Sequence, residues 1–120
     1  MDRLFQVHEN EVRIYFEMGC KCRTTIHLKS LIDTMSIALK VQTSTPNIFL
    51  VKPPNGFISG PLGDFSIDII LNIMKYLPKD FPHSKDIFLI NTTLAHDCKM
   101  DGKWMAKLKV SYIGVFLLHH

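Results

Sequence analysis

Apolar and polar residues alternate along most of the chain. In EVRIYF, Val12, Ile14 and Phe16 share one parity, and Glu11, Arg13 and Tyr15 share the other. CRTTIHLKSL repeats the pattern, with Ile26 and Leu28 opposed by Thr25, His27 and Lys29. In SIALKVQTS, Leu39 and Val41 oppose Lys40, Gln42 and Ser44. NIFLVK follows, and DFSIDIILNIM alternates from Phe65 to Ile73, with Ile70 and Met74 interrupting its polar side. DIFLINT is apolar on both faces, which predicts a central strand. AKLKVSYI closes the series, with Leu108, Val110 and Tyr112 inward and Lys107, Lys109 and Ser111 outward. A period of two predicts strands with one face in a core and one in water. No stretch repeats apolar residues at helical spacing.

Turn signals separate these segments. Met18-Gly19, Asp33-Thr34, Pro53-Pro54-Asn55-Gly56 and Asp101-Gly102 are expected turns, and KYLPKDFPHSK an expected loop. Pro46 cannot donate to a ladder, so pairing should end or bulge there. Short strands at regular spacing predict an antiparallel β-sandwich. Trp104 comes late and between no paired cysteines, which argues against an antibody-type domain. The expected core is Val12, Ile14, Leu28, Leu39, Val41, Phe65, Ile67, Ile69, Phe88, Ile90, Leu108 and Val110.

Length and composition narrow the picture. A chain of 120 residues fits one domain, and 47% hydrophobic content is enough for a core without disulfides or metals. The formal charge is +3, and the segment from Lys99 onward carries four lysines against Asp101 alone. A basic edge favours acidic peptides, anionic lipid or nucleic acid. No segment approaches the roughly 20 apolar residues of a span, and MDRLFQVHENE has no signal-peptide core. The expected compartment is therefore the cytosol. There Cys20, Cys22 and Cys98 should be free thiols. A lone Cys-x-Cys lacks the second pair that a structural zinc site needs.

Catalytic chemistry finds little support. The six glycines make no phosphate loop, and there is no Gly-x-Ser-x-Gly elbow. The histidines are dispersed, with His27 outward on a strand, His83 and His96 in loops, and His119-His120 at the end. Aromatic residues fall mainly on inward parities, so they read as core before they read as a base-stacking platform. No enzyme, cofactor, metal or nucleic-acid partner is expected.

IALKVQTSTPNIFLVKPPNGFI followed by KDIFLINT resembles the major sperm protein domain, which also forms the cytosolic head of the VAP proteins. Leu39 to Pro46 stand where that family carries Phe-Lys-Val-Lys-Thr-Thr-Ala-Pro. Phe49, Val51, Lys52, Pro53, Gly56 and Ile58 follow in register, Ile87 to Ile90 match the late strand, and Lys107-Leu108-Lys109 the last. The opening MDRL and the KLKV…FLL exit are similar to plant proteins that begin with this domain and continue into ankyrin repeats, none of which is present here. The resemblance implies an all-β, seven-stranded immunoglobulin-like β-sandwich over residues 1–118, with 119–120 a tail.

It also implies a non-enzymatic adaptor or scaffold. VAP-type domains bind acidic peptides carrying two phenylalanines on an outward sheet face. Carried over, the site is Lys40, Gln42, Thr43, Ser44, Ile87 and Leu89, with Lys107 and Lys109 supplying charge from the last strand. Gln42 and Ile87 stand where the family carries lysines, so acidic-tract binding should be weaker. The expected partners are acidic or phenylalanine-containing peptide segments, without nucleic acid or direct membrane insertion. The expected place is the cytoplasm, at the cytosolic face of the endoplasmic reticulum through partners. The alternative is a self-associating structural protein of the sperm type, and a homodimer fits either reading.

Overall fold

The computed structural model describes residues 3–33, 35–59, 63–96 and 104–115. The alternating segments form β2 (Val12–Phe16), β3 (Cys22–Ser30), β4 (Ile37–Thr43), β5 (Phe49–Lys52), β7 (Asp64–Leu71), β8 (His83–Leu94) and β9 (Trp104–Gly114). Two short strands join them: β1 (Phe5–Val7) and β6 (Asn55–Ile58). One sheet has the order β1-β3-β7-β5, the other β2-β9-β8-β4-β6. They enclose a core in which Val12, Ile14, Ile37, Leu39, Ile58, Ile67, Ile69, Leu71, Phe88 and Ile90 are fully buried. The architecture is the expected all-β sandwich, with the short β1 and β6 added to the seven strands expected. Phe88, at the sheet interface, packs edge-on against Phe49 of the opposite sheet at 5.1 Å between ring centroids.

Several local expectations change. Asn55-Gly56 is not a turn but the start of β6. The turn is Pro53-Pro54, and Asn55 pairs back onto Lys40. His83 to Lys85 belong to β8 instead of a loop, because the chain resumes pairing right after Pro82, with His83 opposite Ser111. Phe65 is only partly buried. It lies near the rim, with its ring over Gly56. Ile70, on the polar parity, is buried. One pairing, β2 with β9, is parallel. The chain crosses between sheets after β1, so β2 enters the second sheet running alongside β9. The bonds before Pro53 and Pro82 are cis, and that before Pro46 is trans. Gly19 takes a φ of 79° in the expected Met18-Gly19 turn, a conformation open to glycine. Thr34, Cys98, Asp101, Gly102 and His119-His120 lie outside the described residues.

The crossing is pinned by His27. Its backbone N–H donates to Glu9 Oε1 at 2.7 Å, and its ring Nδ1 stands 2.6 Å from Glu9 Oε2. His8 N–H donates to the His27 carbonyl at 2.8 Å. Partial burial works to raise the Glu9 carboxyl. The hydrogen bonds from the His27 ring and backbone overcome it, so the group sits below its ordinary range. His27, expected as a lone surface side chain, thus holds the β1–β2 connection against β3.

Candidate functional site

Parity and register decide which side chains leave the second sheet toward solvent. On β8, Phe88 and Ile90 are fully buried, so Ile87 and Leu89 take the outward parity. Their cross-strand partners then form rows. Gln42 on β4 pairs with Leu89, which pairs with Lys107 on β9. One row along, Lys40 pairs with Asn91, which pairs with Met105. In the other direction Ile87 pairs with Lys109. Two half-buried aliphatics therefore lie beside Lys107 and Lys109, with Lys40 on the other flanking strand one row along.

The charge of this patch is of one sign. Outward residues of the described β4, β8 and β9 include no acid. Glu11, beside the neighbouring β2, bonds the Arg13 guanidinium at 3.0 Å. That bond, with a further one to Ser111, holds its carboxyl below the ordinary range. Nothing in the patch neutralises its lysines, which keeps it complementary to anionic groups.

Ser44 and Thr43 serve the strand end. Ser44 Oγ accepts from Ile87 N–H at 3.0 Å, while Ser44 N–H donates to the Ile87 carbonyl at 3.1 Å. The serine continues the ladder past the end of β4 with its own side chain. Thr43 has the opposite parity, being the partner of Phe88, and its Oγ1 accepts from Thr45 N–H at 3.2 Å. Six of the eight expected residues, Lys40, Gln42, Ile87, Leu89, Lys107 and Lys109, share one face. Ser44 adjoins it and Thr43 turns away.

Three residues that sequence reasoning missed join that face. Asn91 Nδ2 approaches Gln42 Oε1 at 3.5 Å. Met105 is exposed at the end of its row. Phe57, on β6, pairs with Ala38 and keeps 63% of its surface exposed. Outward parity on a recognised β6 would have found Phe57, but the turn residues around it concealed that strand.

Comparison with known proteins gives the face its context. Residues 7–111 match the model of the MSP (Major sperm protein) domain. The chain belongs to the major sperm protein domain family. It is 36% identical over 101 residues to Protein VAPYRIN of Medicago truncatula, covering 79% of this chain and 18% of that protein. It is 27% identical over 105 residues to Vesicle-associated protein 1-3 of Arabidopsis thaliana, covering 88% and 43%. The chain thus spans well under half of these relatives. In fold it is similar to WR4, a C. elegans MSP family member, with a TM-score of 0.62, 18% identity and coverage of 93% and 98%. It is also similar to a PapD-like domain of human CEP192, with a TM-score of 0.70, 9% identity and coverage of 98% and 89%. Membership in this family is consistent with a protein-interaction module.

Among the described residues, no group of three or more His, Cys, Asp or Glu side chains is placed to hold a metal. Cys20 is a free exposed thiol and Cys22 a free buried one. No helix among them is long and apolar enough to cross a membrane.

Proposed function

We propose that this chain is a non-enzymatic adaptor domain that binds a short acidic, aromatic-containing peptide on the outward face of the second sheet. The observation that carries this reading is the row geometry: Leu89 and Ile87 lie in register with Lys107 and Lys109, and Lys40 stands one row along, opposite Asn91. The aliphatics offer a footing for an aromatic ring, and the lysines meet carboxylates. Phe57, Asn91 and Met105 widen the footing toward β6. We take the domain to be residues 1–118 with a short tail at 119–120. We place it in the cytoplasm, at the cytosolic face of the endoplasmic reticulum through its partners, as the module of an ankyrin-associated scaffold. The vapyrin and vesicle-associated relatives do not favour the sperm-type self-assembly reading.

Calorimetric titration of an acidic two-phenylalanine peptide tests the reading. Gln42→Lys should improve binding by up to about 1 kcal/mol at low salt and by less at high salt. Ile87→Lys restores a charge but removes an aliphatic footing and faces Lys109, so it should add little or nothing. Lys40→Glu should weaken binding through like-charge repulsion. Identical affinities across these variants would remove the proposal.

A further inference from the structure

One pole of the sandwich carries a second surface that the sheet face does not use. The β2–β3 turn (17–21) and the β7–β8 loop (72–82) meet there, tied by the bond from Gly19 N–H to the Met74 carbonyl at 2.9 Å. Met74 and Phe81 pack against the core and fix the base of the longer loop. The rest of its apolar side chains point into water. Tyr76 is 81% exposed, Ile73 57%, Met18 52% and Leu77 47%. Isolated exposed apolar residues are ordinary, but four on two joined loop tips are a contact surface.

Charge identifies the occupant. Lys75 and Lys79 alternate with Ile73, Tyr76 and Leu77 along the longer loop, and Lys21 follows Met18 on the shorter one. Arg23 and Lys85 stand just behind. Against these five cations the same pole has Glu17, Asp80 and Asp86, and Asp86 accepts a hydrogen bond from Ser84 at 2.9 Å. An exposed apolar cluster with an amphipathic aromatic and interleaved lysines has the composition of a bilayer-interface contact. Apolar side chains sink to the acyl boundary, a tyrosine hydroxyl stays at headgroup level, and lysines reach anionic headgroups.

We infer that this pole docks superficially on an anionic lipid bilayer through Met18, Ile73, Tyr76 and Leu77, with Lys21, Lys75 and Lys79 meeting the headgroups. The contact is a shallow one by loop side chains and requires no spanning segment. It departs from the expectation of no direct membrane insertion and uses none of the peptide-face residues, so peptide binding and bilayer docking stand or fall separately.

Co-sedimentation of the whole chain with phosphatidylcholine vesicles, with and without phosphatidylserine, tests it. The chain should sediment with the anionic vesicles only, and less at high salt. Tyr76→Ser with Leu77→Ser should weaken partitioning by more than about tenfold, and Lys75→Ala or Lys79→Ala by roughly fivefold each. Their melting temperatures and peptide affinity should be unchanged, since these side chains lie outside the core and the sheet face. Failure of the wild type to sediment, or equal sedimentation of the tip variants, overturns the inference. So does loss of sedimentation only on Lys107→Glu with Lys109→Glu, which would move the contact to the sheet face. A concentration-dependent dimer abolished by the Tyr76 and Leu77 changes would assign the tips to a second copy and overturn it equally.

Discussion

Gly56 is set by a ring on the other sheet. A Cβ there would stand 2.6 Å from Phe65 Cζ, so the partly buried ring must swing aside. Gly56→Ala should therefore cost about 1 kcal/mol in urea denaturation, the low end of the range for overpacking. Phe65→Leu shortens the opposing side chain, so the alanine should cost clearly less in that background. An equal cost in both would contradict the contact. Tyr112 is a second telling residue. Burial, and then the Asp86 carboxylate, push its hydroxyl up to about 12, against a bond to Ser84 that works the other way. In the unfolded chain the phenol ionises near about 10. The folded state thus holds its proton longer. Stability from this group is complete below about pH 10 and is lost as pH rises toward the folded value. Tyr112→Phe should flatten that alkaline decline by up to about 2–3 kcal/mol between roughly pH 9 and pH 12. Parallel declines in both proteins would contradict it.

At the scale of elements, Ser44 shows how an edge of the site is held. Because its hydroxyl replaces a backbone acceptor for Ile87 N–H, Ser44→Ala should cost about 0.5–1.5 kcal/mol. It should also speed hydrogen exchange at Ile87 while leaving Ile90 protected. Unchanged exchange at Ile87 would show that the bond does not matter. Much of this architecture was legible in the chain. Alternation placed Leu39 and Val41 inside, because a half-buried strand must repeat its side chains every second residue, whereas on DIFLINT, apolar on both faces, it could not by itself choose Phe88 and Ile90 over Ile87 and Leu89. It could not reveal β1, whose three residues are too few to show a period, nor β6, which sits within turn-forming residues. Pro82 likewise disguised the start of β8. The charged half of the site was readable from the outward parity of Lys40, Lys107 and Lys109. Phe57, Asn91 and Met105 were not, because which strands lie side by side is a tertiary fact.

For the molecule as a whole, the sheet order brings the residues of the proposed peptide face together. The order β9-β8-β4 gathers residues more than sixty positions apart, Lys40 and Lys107, on one face. The proposed bilayer contact at the loop pole uses Met18, Ile73, Tyr76 and Leu77, none of which belongs to that face. Titrating an acidic two-phenylalanine peptide into the isotopically labelled chain and following backbone amide shifts tests peptide binding on this face. Shifts should concentrate at Lys40 to Ser44, Ile87 to Asn91 and Met105 to Lys109. Shifts confined to β3 and β7 of the opposite sheet, or no shifts at saturating peptide, would contradict it.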